Sequence, residues 1–561
     1  MRFQDKVVVV TGASSGIGAA IALSFAKEGA DVVIVARNNE NLKVTEAKCA
    51  EVGKTPLKLL ADVSKDEQAK AIIDQTIEKY GKIDILINNA GILRFGNITD
   101  GTLLSAYDET MRTNLRSIIH LTTLATPHLI KTKGNIINIS SSGAKVSHPS
   151  FLSYGLSKLA LNLFGEGAAL ELAEHGVRVN TISPGPVTTD IWKNTNVPVE
   201  SLKGMKFKIP LNKMSKPEEI ANLALFLADD KVLAISGSNC AALELAEHGV
   251  RVNTISPGPV ITDIWKNANF SLESVKGLDF KIPLNKILKP EEIATLALFL
   301  ADDKIYTNSH RMGFQNKVVI VTGASSGIGA AIALSFAKEG ADVVIVARNN
   351  EKLKITEAQC EGVGKKPLKI LADISKEDQA KSIIDQTIDK YGKIDILINN
   401  AGILRFGSIT DGTILSVYDE IFSTNLRPII HLTTLAAPYL IETKGNIINI
   451  SSEAALKVKH PKFLSYSMSK SALNLFSQGA ALELAEHGVR VNTISPGPVI
   501  TDILENSNLP ADSMKGLELK IPLKRISNPE EIATVALFLA DDKALGITGS
   551  NYLVDNGTSL T

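Results

Sequence analysis

Lys6 to Arg37 reads KVVVVTGASSGIGAAIALSFAKEGADVVIVAR, and Lys317 to Arg348 repeats it with a single change, Val9 to Ile320. Inside this stretch a β-branched run, Val7 to Val10, meets a glycine turn; apolar residues at helical spacing then run from Gly16 to Lys27, and a second run spans Val32 to Val35. Strand, turn, helix and strand in that order predict a βαβ unit, with parallel strands and a right-handed crossover. The alternation continues outward through Ile83 to Ile87, Asn135 to Ile139 and Val177 to Ile182, with a further helical pattern over Asp66 to Tyr80. Strands buried on both faces and separated by helices predict an α/β fold with a doubly wound parallel sheet.

The two copies are offset by 311 residues, far beyond the period of a solenoid repeat, so each is expected to be a domain with its own core. Copy one is assigned to residues 1–239 and copy two to residues 311–561. The copies part at their ends. Copy two follows ITGSN, Ile547 to Asn551, with YLVDNG, an apolar run closed by a turn signal that predicts a final buried strand. Copy one follows ISGSN, Ile235 to Asn239, with Cys240 and then AALELAEHGVRVNTISPGPV, a string identical at Ala168 to Val187 and Ala480 to Val499. Residues 240–310 therefore read as a third, truncated copy that lacks the stretches carrying the glycine turn, the serine ahead of the tyrosine and the Tyr-Lys pair, and is expected to be non-catalytic. Arg251 to Ile255, after the short helix expected over Ala241 to Glu247, is the candidate for copy one's vacant edge position. Clean copies joined at abrupt junctions are also what tandem genes fused end to end would produce.

Composition narrows the function classes. The 561 residues carry 60 Lys+Arg against 60 Asp+Glu, so no long-range positive field favours nucleic acid or an anionic membrane. Three cysteines cannot build a disulfide framework, and Cys49 and Cys360 are one position in two copies, which suits a reducing compartment. With neither a leader-like nor a membrane-spanning apolar run, the sequence predicts a soluble, cytoplasmic protein. The nine histidines form no cluster with acids or cysteines, so no metal site is expected.

Glycines 12, 16 and 18 follow the first strand and open the first helix. They allow a tight turn and a close backbone approach, while the helix start offers N–H groups and partial positive charge to a pyrophosphate. Gly12, Ser14, Ser15, Gly16, Ile17 and Gly18 are thus expected to cradle a dinucleotide, as are Gly323, Ser325, Ser326, Gly327, Ile328 and Gly329 in copy two. After the second strand stands Arg37, and Arg348 in copy two, where an NAD site usually carries an acid. A guanidinium fork there pairs with a 2′-phosphate and favours NADP(H) over NAD(H). Asp62 with Val63, and Asp373 with Ile374, are placed to meet the adenine; Asp62 also fits the start of the next helix.

Tyr154 and Lys158 are four apart in a helical stretch and share a face, as do Tyr466 and Lys470. A strand ending in Ser140-Ser141 precedes them and brings a hydroxyl to the carboxyl edge of the sheet, where such folds bind ligands. A neighbouring ammonium and an oxidised nicotinamide ring would both favour the phenolate of a tyrosine.

Together TGASSGIG, NNAG at Asn88 to Gly91, Asn114 in Thr-Asn-Leu, the paired serines, Tyr154-x-x-x-Lys158 and Ser-Pro-Gly at Ser183 to Gly185 resemble the short-chain dehydrogenase/reductase family. The flavour is that of 3-oxoacyl-(acyl-carrier-protein) reductases, glucose dehydrogenases and related carbonyl reductases. The resemblance implies a Rossmann-like fold and metal-free hydride transfer between nicotinamide and a carbonyl or secondary alcohol. It implies Tyr154 as the proton donor or acceptor, Lys158 lowering its pKa and holding the nicotinamide ribose, Ser141 on the substrate oxygen, and Asn114 in a proton relay. The copy-two equivalents are Tyr466, Lys470, Ser452 and Asn425; the loop there is one residue longer, which leaves Ser451 as the alternative serine. Asn89, Ala90, Gly91, Pro184, Gly185 and Thr189 would line the cofactor, with Asn400, Ala401, Gly402, Pro496, Gly497 and Thr501 in copy two. Substrate choice would lie in Thr188 to Lys208 and Ile500 to Lys520, where Trp192 aligns with Leu504 and Lys193 with Glu505. The expected partner is a small carbonyl or alcohol, with self-association of the units within or between chains; a non-catalytic dinucleotide-binding scaffold is the other reading.

Overall fold

The computed structural model describes residues 1–145, 149–185, 187–191, 195–197, 216–229, 313–503, 507 and 521–560. Copy one runs β1 (Val7–Thr11), α1 (Gly16–Lys27), β2 (Asp31–Ala36), α2 (Asn39–Val52), β3 (Leu57–Leu60), α3 (Asp66–Tyr80) and β4 (Ile85–Asn88). It continues α4 (Leu103–Met111), a π-helical turn (Arg112–Arg116), α5 (Ser117–Thr132), β5 (Asn135–Ile139), α6 (Leu152–Leu172), β6 (Arg178–Ile182) and α7 (Pro217–Ala228). Copy two repeats the order as β7 (Val318–Thr322), α8 (Gly327–Lys338), β8 (Asp342–Ala347), α9 (Asn350–Val363), β9 (Leu368–Leu371), α10 (Glu377–Tyr391) and β10 (Ile396–Asn399). Then come α11 (Ile414–Asn425), α12 (Arg427–Thr443), β11 (Asn446–Ile450), α13 (Leu464–Leu484), β12 (Arg490–Pro496), α14 (Pro529–Ala540) and β13 (Asn551–Val554).

Every strand pairing is parallel. The six-stranded sheet is ordered β3-β2-β1-β4-β5-β6 and the seven-stranded one β9-β8-β7-β10-β11-β12-β13. Both are doubly wound, and the order reverses between β1 and β4, and between β7 and β10, which opens a crevice at the carboxyl ends of those strands. The valine runs explain the centre of each sheet: all five residues of β1 and of β7 are buried, as helices cover both faces. Local signals set the helix ends. Asn38 accepts from the Asn41 N–H at the start of α2, and Gly81, at φ 75°, closes α3 in the left-handed region.

The expected final buried strand of copy two corrects to a half-buried one. β13 is an edge strand with one neighbour, β12, so Tyr552 and Val554 are partly covered while Asn551 and Leu553 face out. In copy one, β6 is the last strand among the described residues; Ile235 to Asn239 and the whole 240–310 segment, with its expected helix and strand, lie outside them.

Each copy has a separate core on one face of its sheet, while the cores on the other faces merge into one. The merger is made by α6 against α13, with α5 against α11 and α4 against α12. Leu152 and Leu464, both fully buried, seat against Gly479 and Gly167 of the opposite copy. Each such leucine contributes about 1.5–3 kcal/mol by leaving water. The ends of the contact are reciprocal. Arg116 pairs with Asp419 at 2.7 Å and Arg427 with Asp108 at 2.7 Å, and the same arginines reach Asp66 and Glu377 in their own copies.

Candidate active site

The crevice is built on the glycine turn. Gly12 and Gly16 have φ of 66° and 54°, which side chains rarely tolerate, and a Cβ on Gly18 would overlap the Gly12 carbonyl. Helix α1 can therefore begin directly beneath the turn. Ser15 caps α1 with an extended backbone, and its side chain makes no capping hydrogen bond; Ser326 does the same for α8. Thr11 stitches the far wall to this turn: its Oγ1 accepts from the N–H groups of Asn89 and Ala90 at 3.0 and 3.1 Å. Asn89 returns an Nδ2–H bond to the Thr11 carbonyl at 2.9 Å. Thr322, Asn400 and Ala401 repeat the arrangement. Thr189 closes over the top, its Cγ2 lying 3.0 Å from where a Cβ on Gly16 would be, and Thr501 stands likewise over Gly327. This shaped, backbone-lined cradle fits a dinucleotide phosphate pair.

Farther along the crevice, Arg37 is 61% exposed and lies 3.8 Å from Asp62; Arg348 and Asp373 match at 3.8 Å. Asp62 accepts from the backbone N–H and hydroxyl of Ser64, and Val63 and Ile374 are buried beside these acids. At the other side, the Pro184 carbonyl accepts from the Ser142 N–H at 2.8 Å, tying the Pro-Gly turn to the serine loop. A Cβ on Gly185 would meet nothing among the described residues, whereas Gly497 is packed against Asp555, and its N–H donates to Val554 in β13. Copy two thus holds its Pro496-Gly497 turn with a segment that has no counterpart among the described residues of copy one.

The side chains of the expected tetrad converge. Tyr154 and Ser141 meet at Gly143: a Cβ there would stand 3.2 Å from Ser141 Oγ and 3.6 Å from the tyrosine ring, and Ser141 Oγ accepts from the Gly143 N–H at 3.0 Å. Lys158 Nζ lies 5.7 Å from the Tyr154 ring centroid and donates to the Ile139 carbonyl at 2.8 Å. A Cβ on Gly91 would sit 3.6 Å from that ammonium and 3.4 Å from Asn114 Oδ1, so both polar groups face one gap, as do Lys470 and Asn425 at Gly402. Asn114, in the π-helical turn, spends its amide on the backbone of Ile92 in both directions and on Ser157 Oγ.

In copy two, Ser451 is buried and donates to the Lys470 carbonyl, whereas Ser452 is the serine that acts on the Tyr466 hydroxyl and favours its phenolate.

Burial pushes Tyr154 up and Tyr466 up to about 12, and the neighbouring serine hydroxyl opposes the rise in each case. The ammonium is directed at a backbone carbonyl rather than at the phenol, and burial lowers Lys158 and Lys470 themselves to about 8. A further charge in copy two escaped the motifs. Glu453, buried next to Ser452, pairs with Lys459 at 2.8 Å and adds to the rise of Tyr466; Lys459 also donates to the Thr558 carbonyl at 2.7 Å. Copy one has Ser142 at that position, and the difference between copies was the available signal. Of the substrate segments, Trp192, Lys193, Leu504 and Glu505 lie outside the described residues. Among the described residues no group of three His, Cys, Asp or Glu side chains gathers as metal ligands, and no helix is long and apolar enough to cross a membrane.

The family described as "Enoyl-(Acyl carrier protein) reductase" matches three stretches, residues 12–242, 239–309 and 323–559. The chain is 28% identical over 589 residues to the peroxisomal hydratase-dehydrogenase-epimerase of Neurospora crassa, across 99% of this chain and 60% of that protein's length. It is 34% identical to a 3-oxoacyl-(acyl-carrier-protein) reductase of Thermotoga maritima, over 44% of this chain and 99% of the relative. A solved short-chain dehydrogenase/reductase of unknown function from Caenorhabditis elegans, determined with cofactor, is 36% identical. It covers 45% of this chain and 97% of its own, with a TM-score of 0.42.

Proposed function

Because the chain belongs to the short-chain dehydrogenase/reductase family of oxidoreductases, we propose that residues 1–239 and 311–561 form two nicotinamide-dependent sites. Each would interconvert a small carbonyl compound and a secondary alcohol, with residues 240–310 taking no catalytic part. The supporting observation is Tyr154 and Ser141 meeting at Gly143 beside a buried lysine that faces the Gly91 gap. When bound, the nicotinamide supplies or accepts the hydride.

The chain's own residues handle the proton. Ser141 and Ser452 fix the substrate oxygen against the tyrosine hydroxyl, which donates its proton as a carbonyl is reduced and takes one back as an alcohol is oxidised. Burial favours the neutral phenol in both copies, the form that donates a proton as a carbonyl is reduced. Lys158 and Lys470 hold the ribose, and Asn114 and Asn425 fix the backbone beside them. The cofactor reading is NADP(H), since Arg37 and Arg348 stand exposed where a 2′-phosphate would lie. The compartment reading is the cytosol, consistent with Cys49 and Cys360, which are unbridged and buried, with thiols raised to about 11.

A panel of ketones and secondary alcohols assayed on the full chain with NADPH, NADH and their oxidised forms tests the reading. Dinucleotide binding without turnover of any member would replace it with a scaffold role. Replacing Arg37 and Arg348 together by alanine is expected to raise KM for NADPH roughly 10-fold or more, the worth of charge-assisted hydrogen bonds, and to leave NADH nearly unaffected. Equal effects on the two dinucleotides would remove the NADP(H) assignment.

Glu453 gives a pH prediction. In a chain whose only catalytic tyrosine is Tyr466, Glu453→Ser removes a carboxylate that disfavours the phenolate. The tyrosine pKa then falls, so the alkaline rise of alcohol oxidation moves to lower pH, by up to about one unit. A pH–rate profile that stays put, or moves upward, would contradict this.

A further inference from the structure

The contact between the copies falls on the two catalytic helices rather than on remote surface. Leu464 opens α13 two residues before Tyr466, is fully buried, and rests in a notch at Gly167 of α6. A Cβ on Gly167 would overlap it, with Leu464 Cδ2 at 2.8 Å and Cγ at 3.0 Å. Leu152, two residues before Tyr154, fills the same notch at Gly479, where a Cβ would stand 2.5 Å from its Cδ1.

One turn along each helix a carboxylate of one copy holds a loop of the other. Glu171 accepts from Ser408 Oγ at 2.6 Å and from the Thr410 N–H and hydroxyl at 2.9 Å. Glu483 accepts from the Thr99 N–H at 2.9 Å and its hydroxyl at 2.8 Å. These loops bear directly on the catalytic turn: Phe406 meets Phe463 edge-on at 4.7 Å, and Phe95 meets Phe151 at 5.0 Å. The Arg94 carbonyl also accepts from Ser153 Oγ at 2.8 Å. The Phe95 loop continues into the substrate segment of copy one, since Asn196 bonds both the N–H and the carbonyl of Phe95.

We propose that each catalytic tyrosine is positioned by the opposite copy, with Gly167 acting as a positioning residue for Tyr466 and Gly479 for Tyr154. The inference rests on the oxidoreductase reading above. A catalytic helix is held at its first turn by a notch only a glycine leaves open, and on its flank by a loop tethered to a carboxylate of the other copy. A branched side chain in the notch displaces the tyrosine without touching any residue of its own site, and displacement by about 1 Å is enough to cost some 100-fold in rate.

The test uses the full chain carrying Tyr154→Phe, so that Tyr466 alone reports. Adding Gly167→Val, a change confined to copy one, is expected to lower kcat at least tenfold while KM for the dinucleotide and the melting temperature stay near those of the parent. Adding Leu464→Ala to that chain clears the notch and is expected to restore most of the lost kcat. Unchanged kcat with Gly167→Val shows independent copies and overturns the proposal. Loss without rescue, or loss accompanied by a fallen melting temperature, shows general damage and also overturns it. A Tyr154→Phe parent that turns over no substrate instead fells the oxidoreductase reading of copy two, and the proposal with it.

Discussion

Tyr154→Phe combined with Tyr466→Phe is expected to reduce carbonyl turnover by roughly 10²–10⁴-fold, the usual contribution of a positioned proton donor. Phenylalanine retains the ring beside Lys158 or Lys470 and deletes only the hydroxyl on which Ser141 or Ser452 acts. Dinucleotide affinity should therefore survive, and calorimetric titration of the double variant should still show saturable binding. Each single variant isolates one copy and so also asks whether copy one works, though no counterpart of β13 stands among its described residues. Full turnover in the double variant would mean that another group supplies the proton.

The second large effect belongs to the glycine turn. Gly329→Val is expected to abolish dinucleotide binding in copy two and leave copy one alone, so that titration gives one site per chain where the parent gives two. The cause is steric. The new Cβ would enter the Gly323 carbonyl and the Asn400 amide, which itself joins the two walls of the crevice. Helix α8 must then withdraw from the turn, and its N-terminal N–H groups leave the pyrophosphate position. Two remaining sites of unchanged affinity would show that the cradle is not where the cofactor sits.

What was legible in the chain was local or repeated. The glycine turn, the valine strands and the Tyr154/Lys158 spacing each encode their geometry within a few residues, and helix α3 begins and ends at Asp66 and Tyr80 as its pattern predicts. The duplicated string at Lys317 to Arg348 marked the second sheet without further argument. Contacts across long separations left no such mark. Asn114 was visible as a motif, yet its bonds to Ile92 depend on how a π-helical turn faces a distant loop. The pairing of Glu453 with Lys459 and Thr558 needs the longer loop and the end of the chain together. Spacing fixes a shared face and not the direction of an ammonium, which here goes to the Ile139 carbonyl. The edge position of β13 likewise follows from sheet order, which apolar content alone does not encode.

Since Arg116, Asp419, Arg427 and Asp108 bridge halves of a single polypeptide, meeting of those halves is a unimolecular event. Its equilibrium carries no concentration term, unlike that of two separate subunits, whose pairing weakens as they are diluted. Specific activity should consequently hold constant from micromolar stock down to the picomolar range of a sensitive assay, and the two halves are made in equal number at every synthesis.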